Sequence, residues 1–388
     1  MKKKSNLFLL ISLTAFFGCT ENNKVKKEVK STKETIQQPE IKENRQLTNL
    51  GDFFGGISTS ATDSLIPSEI KSQWDIFNKE MNSTYLRIDE KKKIMNSWKN
   101  KNITISKGTL FYPFSGPDFL HANIFFPEFD TIIMIGLEPT GNSIIDISNY
   151  TTPDAFNKIS RSLTTILNQS FFRTKSMAVD FKTENLNGTI PIFLHFIARH
   201  QFAIQSIKDI QLNAKGELIP VSKQNKNSSY YQGIEYTLIK NNKLKHLYFF
   251  SMNLMNTTYA GQTGLDQHQE LGKLIKNKNI SSTYLKAASY LLHRNEFSIL
   301  RDWILNNSKQ IVQDDSGIPV KYINDTTKWN TSFFGVYNKP IPLFYERYQQ
   351  ELYDVYHSNS KKISALPFGI GYKSQQGTSN MSISIKIK

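Results

Sequence analysis

Apolar residues recur along this chain with two periods. Ile70, Trp74, Phe77 and Met81 stand three to four residues apart. That spacing predicts a helix, and Pro67 suits its first turn. A second helix is predicted from about Asp89 to Trp98, with Trp74 and Trp98 as core anchors. Residues 51–64 ahead of them read as irregular.

The densest apolar stretch follows. Thr109 to Phe114 is a short aromatic-rich strand, and Ser115-Gly116-Pro117-Asp118 reads as a turn into a short helix. Ser115 or Gly116 is the expected N-cap, Pro117 the first helical residue, and Asp118 an acid in the first turn. The helix must end before Pro127. Thr131 to Leu137 is the next apolar run, closed by Glu138-Pro139-Thr140-Gly141. Strand, helix and strand in so few residues predict a βαβ unit with parallel strands.

Downstream, Phe156, Ile159, Leu163, Ile166 and Leu167 mark a helix over 153–172, and residues 178–186 suggest another. Ile190 to Phe202 reads as a buried helix. Strands then dominate, over 203–212, 231–239 and 244–254, the last two joined at Asn241-Asn242. Residues 284–293 and 296–305 predict a helical pair. Lys309 to Gln313 reads as a strand with Val320 to Ile323 pairing back on it. Phe333 to Tyr337 is strand-like, Leu343 to Tyr356 helical, and Ile383 to Ile387 an edge strand. The alternation predicts an α/β or α+β fold, with helices flanking a mixed sheet.

The first residues carry a different signal. Lys2, Lys3 and Lys4 precede eleven apolar-rich residues, Leu7 to Phe17. A bilayer core of about 30 Å needs about 20 residues, so this run fits a secretory signal instead. Phe16-Phe17-Gly18-Cys19 resembles the lipobox of bacterial lipoproteins, with Phe16 where Leu is usual. Cys19 is the only cysteine, so no internal disulfide can form, and lipidation at Cys19 is its expected use. Residues 1–18 are then the signal peptide. Residues 19–50, polar and without aromatics, form a disordered tether. Residues 51–388 form one globular body. Thr20 after the cysteine favours the outer membrane over inner-membrane retention, again by resemblance to known lipoproteins. The expected location is the cell envelope, with the membrane as partner through acyl chains of the palmitate type.

Net charge is +15. Removing the three signal lysines leaves +12. The lysines are scattered, often beside Asn, as at Lys99-Asn100-Lys101-Asn102 and Lys276-Asn277-Lys278-Asn279. These read as solvated loops, and with no nucleic-acid motif present a nucleic-acid partner is not expected.

The candidate chemistry sits in turns. Ser115, Asp118 and His121 are three apart, and all are triad residue types. A capped helix start explains them more simply. Glu138 follows the second strand of the βαβ unit, where ligands of open parallel sheets bind. Its plainer use is to cap its own turn. Asp314-Asp315 is the sharpest acidic pair, suited to acid–base work or a hard cation. It also makes a good β-turn. His195 and His200, five apart, do not match a helical metal motif, and no GxSxG, P-loop or GxGxxG is present. No metal or cofactor is expected. Two functions follow from these residues. One is an envelope lipoprotein with a structural role or one of binding a small molecule or glycan. The other is an exported enzyme, such as a hydrolase, using Ser115, Asp118, Glu138, Asp314 and Asp315.

The segments FYPFSGPDFLHANIFFP, GLEPTG, TYLKAASYLLHRNEFSILRDWIL, QDDSGIP and LPFGIGY resemble an uncharacterised family of bacterial proteins. The resemblance spans about residues 108–372. It implies one shared domain and brings no activity with it.

Overall fold

A computed structural model describes residues 41–150, 153–169, 187–227, 230–358 and 363–387. The signal segment, Cys19 and the tether up to residue 40 lie outside these residues, as does the helix expected over 178–186. Residues Ile41–Lys388 cluster as one compact unit.

Among the described residues ten strands form one sheet. They are β1 (Thr109–Tyr112), β2 (Thr131–Gly136), β3 (Ala203–Leu212), β4 (Leu218–Pro220), β5 (Tyr231–Lys240), β6 (Lys243–Ser251), β7 (Ile280–Leu285), β8 (Gln310–Gln313), β9 (Trp329–Gly335) and β10 (Asn380–Lys386). Their order is β4-β3-β5-β6-β2-β1-β7-β8-β10-β9. The five central strands, β6, β2, β1, β7 and β8, run parallel. The βαβ unit is present as expected: β1 pairs with β2 in parallel, and α4 (Phe119–Phe125) lies between them in the chain.

The sheet is covered on both faces because its residues alternate. Leu110, Tyr112, Ile132, Met134 and Phe249 pack on one side with α1 (Arg45–Gly55), α3 (Lys71–Asn102), α4, α5 (Pro153–Gln169) and α6 (Ile190–Arg199). Phe111, Ile133, Ile135, Tyr248 and Phe250 face the other side, with α7 (Glu270–Asn277), α8 (Ser298–Asn307) and α9 (Gln350–Ser358). A short α2 (Ser60–Asp63) precedes α3.

Several elements differ from expectation. The two helices predicted over 67–81 and 89–98 are one helix of 32 residues, α3. Tyr85 and Ile88 carry its buried stripe across the interval between the two expected helices. The fold starts earlier than residue 51. Asn44 accepts the amide of Leu47 as N-cap of α1 at 3.2 Å, its own amide binds the Ile204 carbonyl at 2.8 Å, and Leu50, Phe53 and Phe54 are buried.

Val320–Tyr322 is a 3₁₀ turn and not a strand. Gln313 folds over that turn, with its side chain bonded to both the amide and the carbonyl of Ile318. The free edge of β8 pairs with β10 instead. β10 is therefore interior, between β8 and β9, and the sheet edges are β4 and β9. The helix expected over 343–356 is broken at Phe344, whose φ of −126° is not helical. Its regular part is α9. Finally, α7 runs through Lys276-Asn277, read as part of a solvated loop, and β7 takes Tyr284 and Leu285 from the helix expected over 284–293, whose remainder from Ala287 to His293 is 3₁₀.

Candidate functional site

The parallel strands order the site. Counted in chain order, β6, β2, β1, β7 and β8 are the third, second, first, fourth and fifth parallel strands. The winding therefore reverses between β1 and β7. Ligands of such sheets bind outside the carboxyl ends of the strands, at that switch point. Of the five segments that leave this edge, four carry the residues of the site: 113–118 after β1, 137–141 after β2, 286–288 after β7, and 314–315 after β8.

The β1 loop is pinned to its neighbour. The Ser115 amide donates to Ile135 O at 2.9 Å, and its hydroxyl donates to the same carbonyl at 3.2 Å. Phe114 takes φ 58° and Gly116 φ 52°. Gly136, the last residue of β2, sits against this loop. A Cβ there would lie 2.9 Å from Gly116 Cα and 2.3 Å from Glu138 Oε2. Two side-chain-free positions thus let the Glu138 carboxylate tuck between the β1 and β2 loops. Its Oε2 accepts the Leu137 amide at 3.1 Å.

Asp118 is the hub. Contrary to expectation it is itself the N-cap of α4, accepting the His121 amide at 3.2 Å. It also accepts from Tyr112 Oη at 2.8 Å and His121 Nδ1 at 2.9 Å, and pairs with Lys286 Nζ at 2.7 Å. Lys286 is the first residue after β7. Both partners are buried, at 3% and 1% side-chain exposure for Lys286 and Asp118. Burial alone would raise the Asp118 pKa, but the neighbouring His121 and Lys286 outweigh it and hold the carboxyl below its usual range. Burial lowers the His121 pKa, and the Lys286 charge adds to this against the pull of Asp118. Asp118 is therefore ionised, Lys286 is its charge partner, and His121 is neutral with Nδ1–H donating.

Ala287 follows with φ 57°. That conformation turns its amide onto Asp314 Oδ2 at 3.2 Å. Asp314 also accepts the Ser316 amide at 2.9 Å and the Ser316 hydroxyl. Burial and the Asp315 charge push its pKa up to about 6. Left-handed backbone at Phe and Ala costs of order 1 kcal/mol or more and concentrates at functional sites. Here the two strained residues flank the switch point, one after each of its strands.

Ser115, Asp118, Glu138, Lys286, Tyr112 and Tyr372 line a cavity of about 20 Å³, room for one water. Tyr284 lies close by on β7. It is fully buried, its hydroxyl has no hydrogen-bond partner, and the Asp118 and Asp314 charges both act on it. Tyr372, half-buried, stacks on Tyr290 and packs at a tilt against Phe344.

Of the residues singled out in the sequence, Ser115, Asp118 and Glu138 share this cavity, and Asp314 adjoins it through Ala287. Asp315 points away. It accepts from Tyr290 Oη, from Asn380 Nδ2 at 3.0 Å and from Lys373 Nζ at 3.1 Å. The two aspartates therefore accept from separate partners, although the Asp315 charge still acts on Asp314, and no group of acids, histidines or cysteines suited to a metal occurs among the described residues. Ser115 makes no triad with His121, because its hydroxyl is bonded to Ile135 O while His121 faces Asp118. His195 is structural. Its ring nitrogens meet Tyr85 Oη and Phe54 O, each at 3.0 Å.

Sequence reasoning missed Lys286, Tyr112, Tyr284 and the left-handed Phe114 and Ala287. The signal for Lys286 was its place directly after β7, a strand hidden in the sequence by its polar Ser281-Ser282-Thr283. No protein-family model matches this chain, and no curated protein or solved structure matches it either.

Proposed function

We propose that this is a lipid-anchored envelope protein whose body binds a small polar ligand, neutral or cationic, at the switch point between β1 and β7. One observation carries the ligand reading: the Asp118–Lys286 ion pair is buried beside a cavity whose two flanking loops hold non-glycine residues in left-handed backbone. Neither the strain nor a buried ion pair benefits stability, so a binding site is the better explanation for both. The sign of the ligand follows from charge. Lys286 is matched by Asp118, and Glu138 and Asp314 add two more acids to this edge, which disfavours an anion. Asp118 also fills the N-terminus of α4 with its own carboxylate.

The anchor reading rests on the basic start, the apolar run and Cys19. In this reading a Cys19-linked lipid is the attachment; among the described residues no helix is long and apolar enough to cross a membrane. Cys19→Ala in the full chain should release the protein from the membrane fraction and change its mature mass. Unchanged mass and fractionation would sink the anchor reading. The ligand reading is tested by titrating the purified body with sugars, nucleosides, amines and amino acids and following its thermal midpoint.

A second reading, an exported hydrolase, draws on Asp314. A carboxyl with its pKa pushed to about 6 by burial and the Asp315 charge is suited to general acid–base work. It ranks behind binding because no nucleophile in the cavity has a base beside it.

A further inference from the structure

We infer that a second cavity, at the amino-terminal ends of β2 and β6, binds a small hydroxy acid, with lysines meeting its carboxylate and Asn123 its hydroxyl. This cavity lies at the opposite end of the parallel strands from the switch point. It stands independently of the ligand proposed there.

Three segments build it. Asn123 comes from α4, Glu128 and Asp130 from the connection between α4 and β2, and Lys240, Lys243 and Lys245 from the β5–β6 hairpin. Its volume is about 240 Å³, against about 20 Å³ for the switch-point cavity. A molecule of several heavy atoms fits without any wall moving.

Lys245 is the key residue. It is 5% exposed, and its Nζ donates to the carbonyls of Pro127, at 3.0 Å, and Phe129. An ammonium has more N–H donors than these two carbonyls take, so one is left. Glu128 and Asp130 act on its charge, yet among the described residues no carboxylate forms an ion pair with it. Burial is the main cause that lowers its pKa to about 8, and the Lys240 charge adds to this against the two acids. Lys245 is therefore largely charged at pH 7. Buried charges are normally paired, so an ammonium in this state calls for an anion. Lys240 retains donors beyond its one bond, to His200 O at 2.6 Å, and Lys243 is exposed beside it. The lining carries three positive and two negative side chains, so one carboxylate balances it. Both acids are exposed, where water and salt screen their repulsion of an anion.

Asn123 adds the hydroxyl. It is 7% exposed, and its Oδ1 is buried with no hydrogen-bond partner. An unpaired buried acceptor is costly. It needs a donor, which a carboxylate cannot supply. A hydroxyl carried on the same small molecule can, and this selects a hydroxy acid over a simple carboxylate.

The test is calorimetric titration of the folded protein with D- and L-lactate, glycerate, propionate and inorganic phosphate. At pH 7 lactate or glycerate should bind, and propionate, which lacks the hydroxyl, should bind about tenfold more weakly. Lys245→Met should weaken binding about tenfold or more. In the unmodified protein, affinity should fall about tenfold between pH 7 and pH 9, as Lys245 loses its proton. Should Lys245→Met fail to fold, the pH series and the comparison of lactate with propionate decide the matter on the unmodified protein. Equal binding of lactate and propionate, affinity unchanged from pH 7 to pH 9, binding of phosphate alone, or no binding by any of these compounds overturns the inference. None of these outcomes bears on the switch-point site, whose lining residues are different.

Discussion

Replacing Lys286 by Met tests the buried hub directly. The substitution keeps length and apolar volume and removes one charge. In the native protein Lys286 Nζ lies 2.7 Å from Asp118 Oδ2, and neither side chain is more than 3% exposed. After the change, Asp118 retains Tyr112 Oη, the His121 amide and His121 Nδ1, all of them neutral donors. Breaking a buried pair by removing one partner costs about 3–5 kcal/mol, because the remaining charge is stranded. We expect a loss at the lower end of that range, since three donors stay. Urea unfolding at pH 7, followed by tryptophan fluorescence, measures it. The pH dependence has a definite sign. The folded pKa of Asp118 is depressed, so its contribution is complete above the unfolded carboxylate pKa and is lost as pH falls through the folded value. In Lys286→Met the depression is relieved. Its deficit against the native protein should be largest near pH 7 and narrow below about pH 4, as Asp118 takes up a proton. Asp118→Asn combined with Lys286→Met strands no charge and should recover about 1 kcal/mol or more of the loss. A single variant that loses less than about 1 kcal/mol, or a double variant no more stable than the single one, would refute the ion-pair reasoning.

Two further outcomes follow from the same loops. Gly136→Ala would place a Cβ 2.3 Å from Glu138 Oε2 and 2.9 Å from Gly116 Cα; we expect about 1–3 kcal/mol of destabilisation, and an unchanged urea midpoint would show that the two loops are not packed as described. Asp314 carries a folded pKa raised to about 6 by burial and the Asp315 charge, so the stability it contributes is present at low pH and is lost as pH rises through that value; in Asp314→Asn the decline between about pH 4 and pH 7 should shrink by about 2 kcal/mol, and identical pH profiles would refute the shift.

What was legible in the sequence is the βαβ unit and the convergence of its turns. Parallel strands joined by a crossover must release both carboxyl ends on one edge, so the apolar pattern is enough to bring Ser115, Asp118 and Glu138 together. The Asn241-Asn242 hairpin was legible for a similar reason, and both residues take left-handed φ, 51° and 55°. The switch point was not legible. It depends on β7, whose central Ser281, Ser282 and Thr283 read as polar although every residue of the strand is buried. Two of their hydroxyls are satisfied by distant side chains, Ser282 by Gln310 at 2.8 Å and Thr283 by Ser308 at 2.7 Å. No local pattern reports such partners. The same holds for β10, whose partners β8 and β9 precede it by many residues, so its alternation suggested an edge. Lys286 was lost with β7. Asp314 and Asp315 looked like a pair because they are adjacent, yet successive residues leaving a strand point in different directions.

The central claim is that a ligand binds between the β1 and β7 loops. Ala288 offers the most direct test, because it lines the cavity without belonging to the ion pair. Ala288→Phe more than fills a space sized for one water and removes neither Asp118 nor Lys286. Calorimetric titration with whichever sugar, nucleoside, amine or amino acid binds the native protein best should show affinity reduced about tenfold or more, in a protein that stays folded while overpacking costs it about 1–3 kcal/mol. Undiminished affinity in a folded Ala288→Phe protein would put the ligand elsewhere and contradict the account.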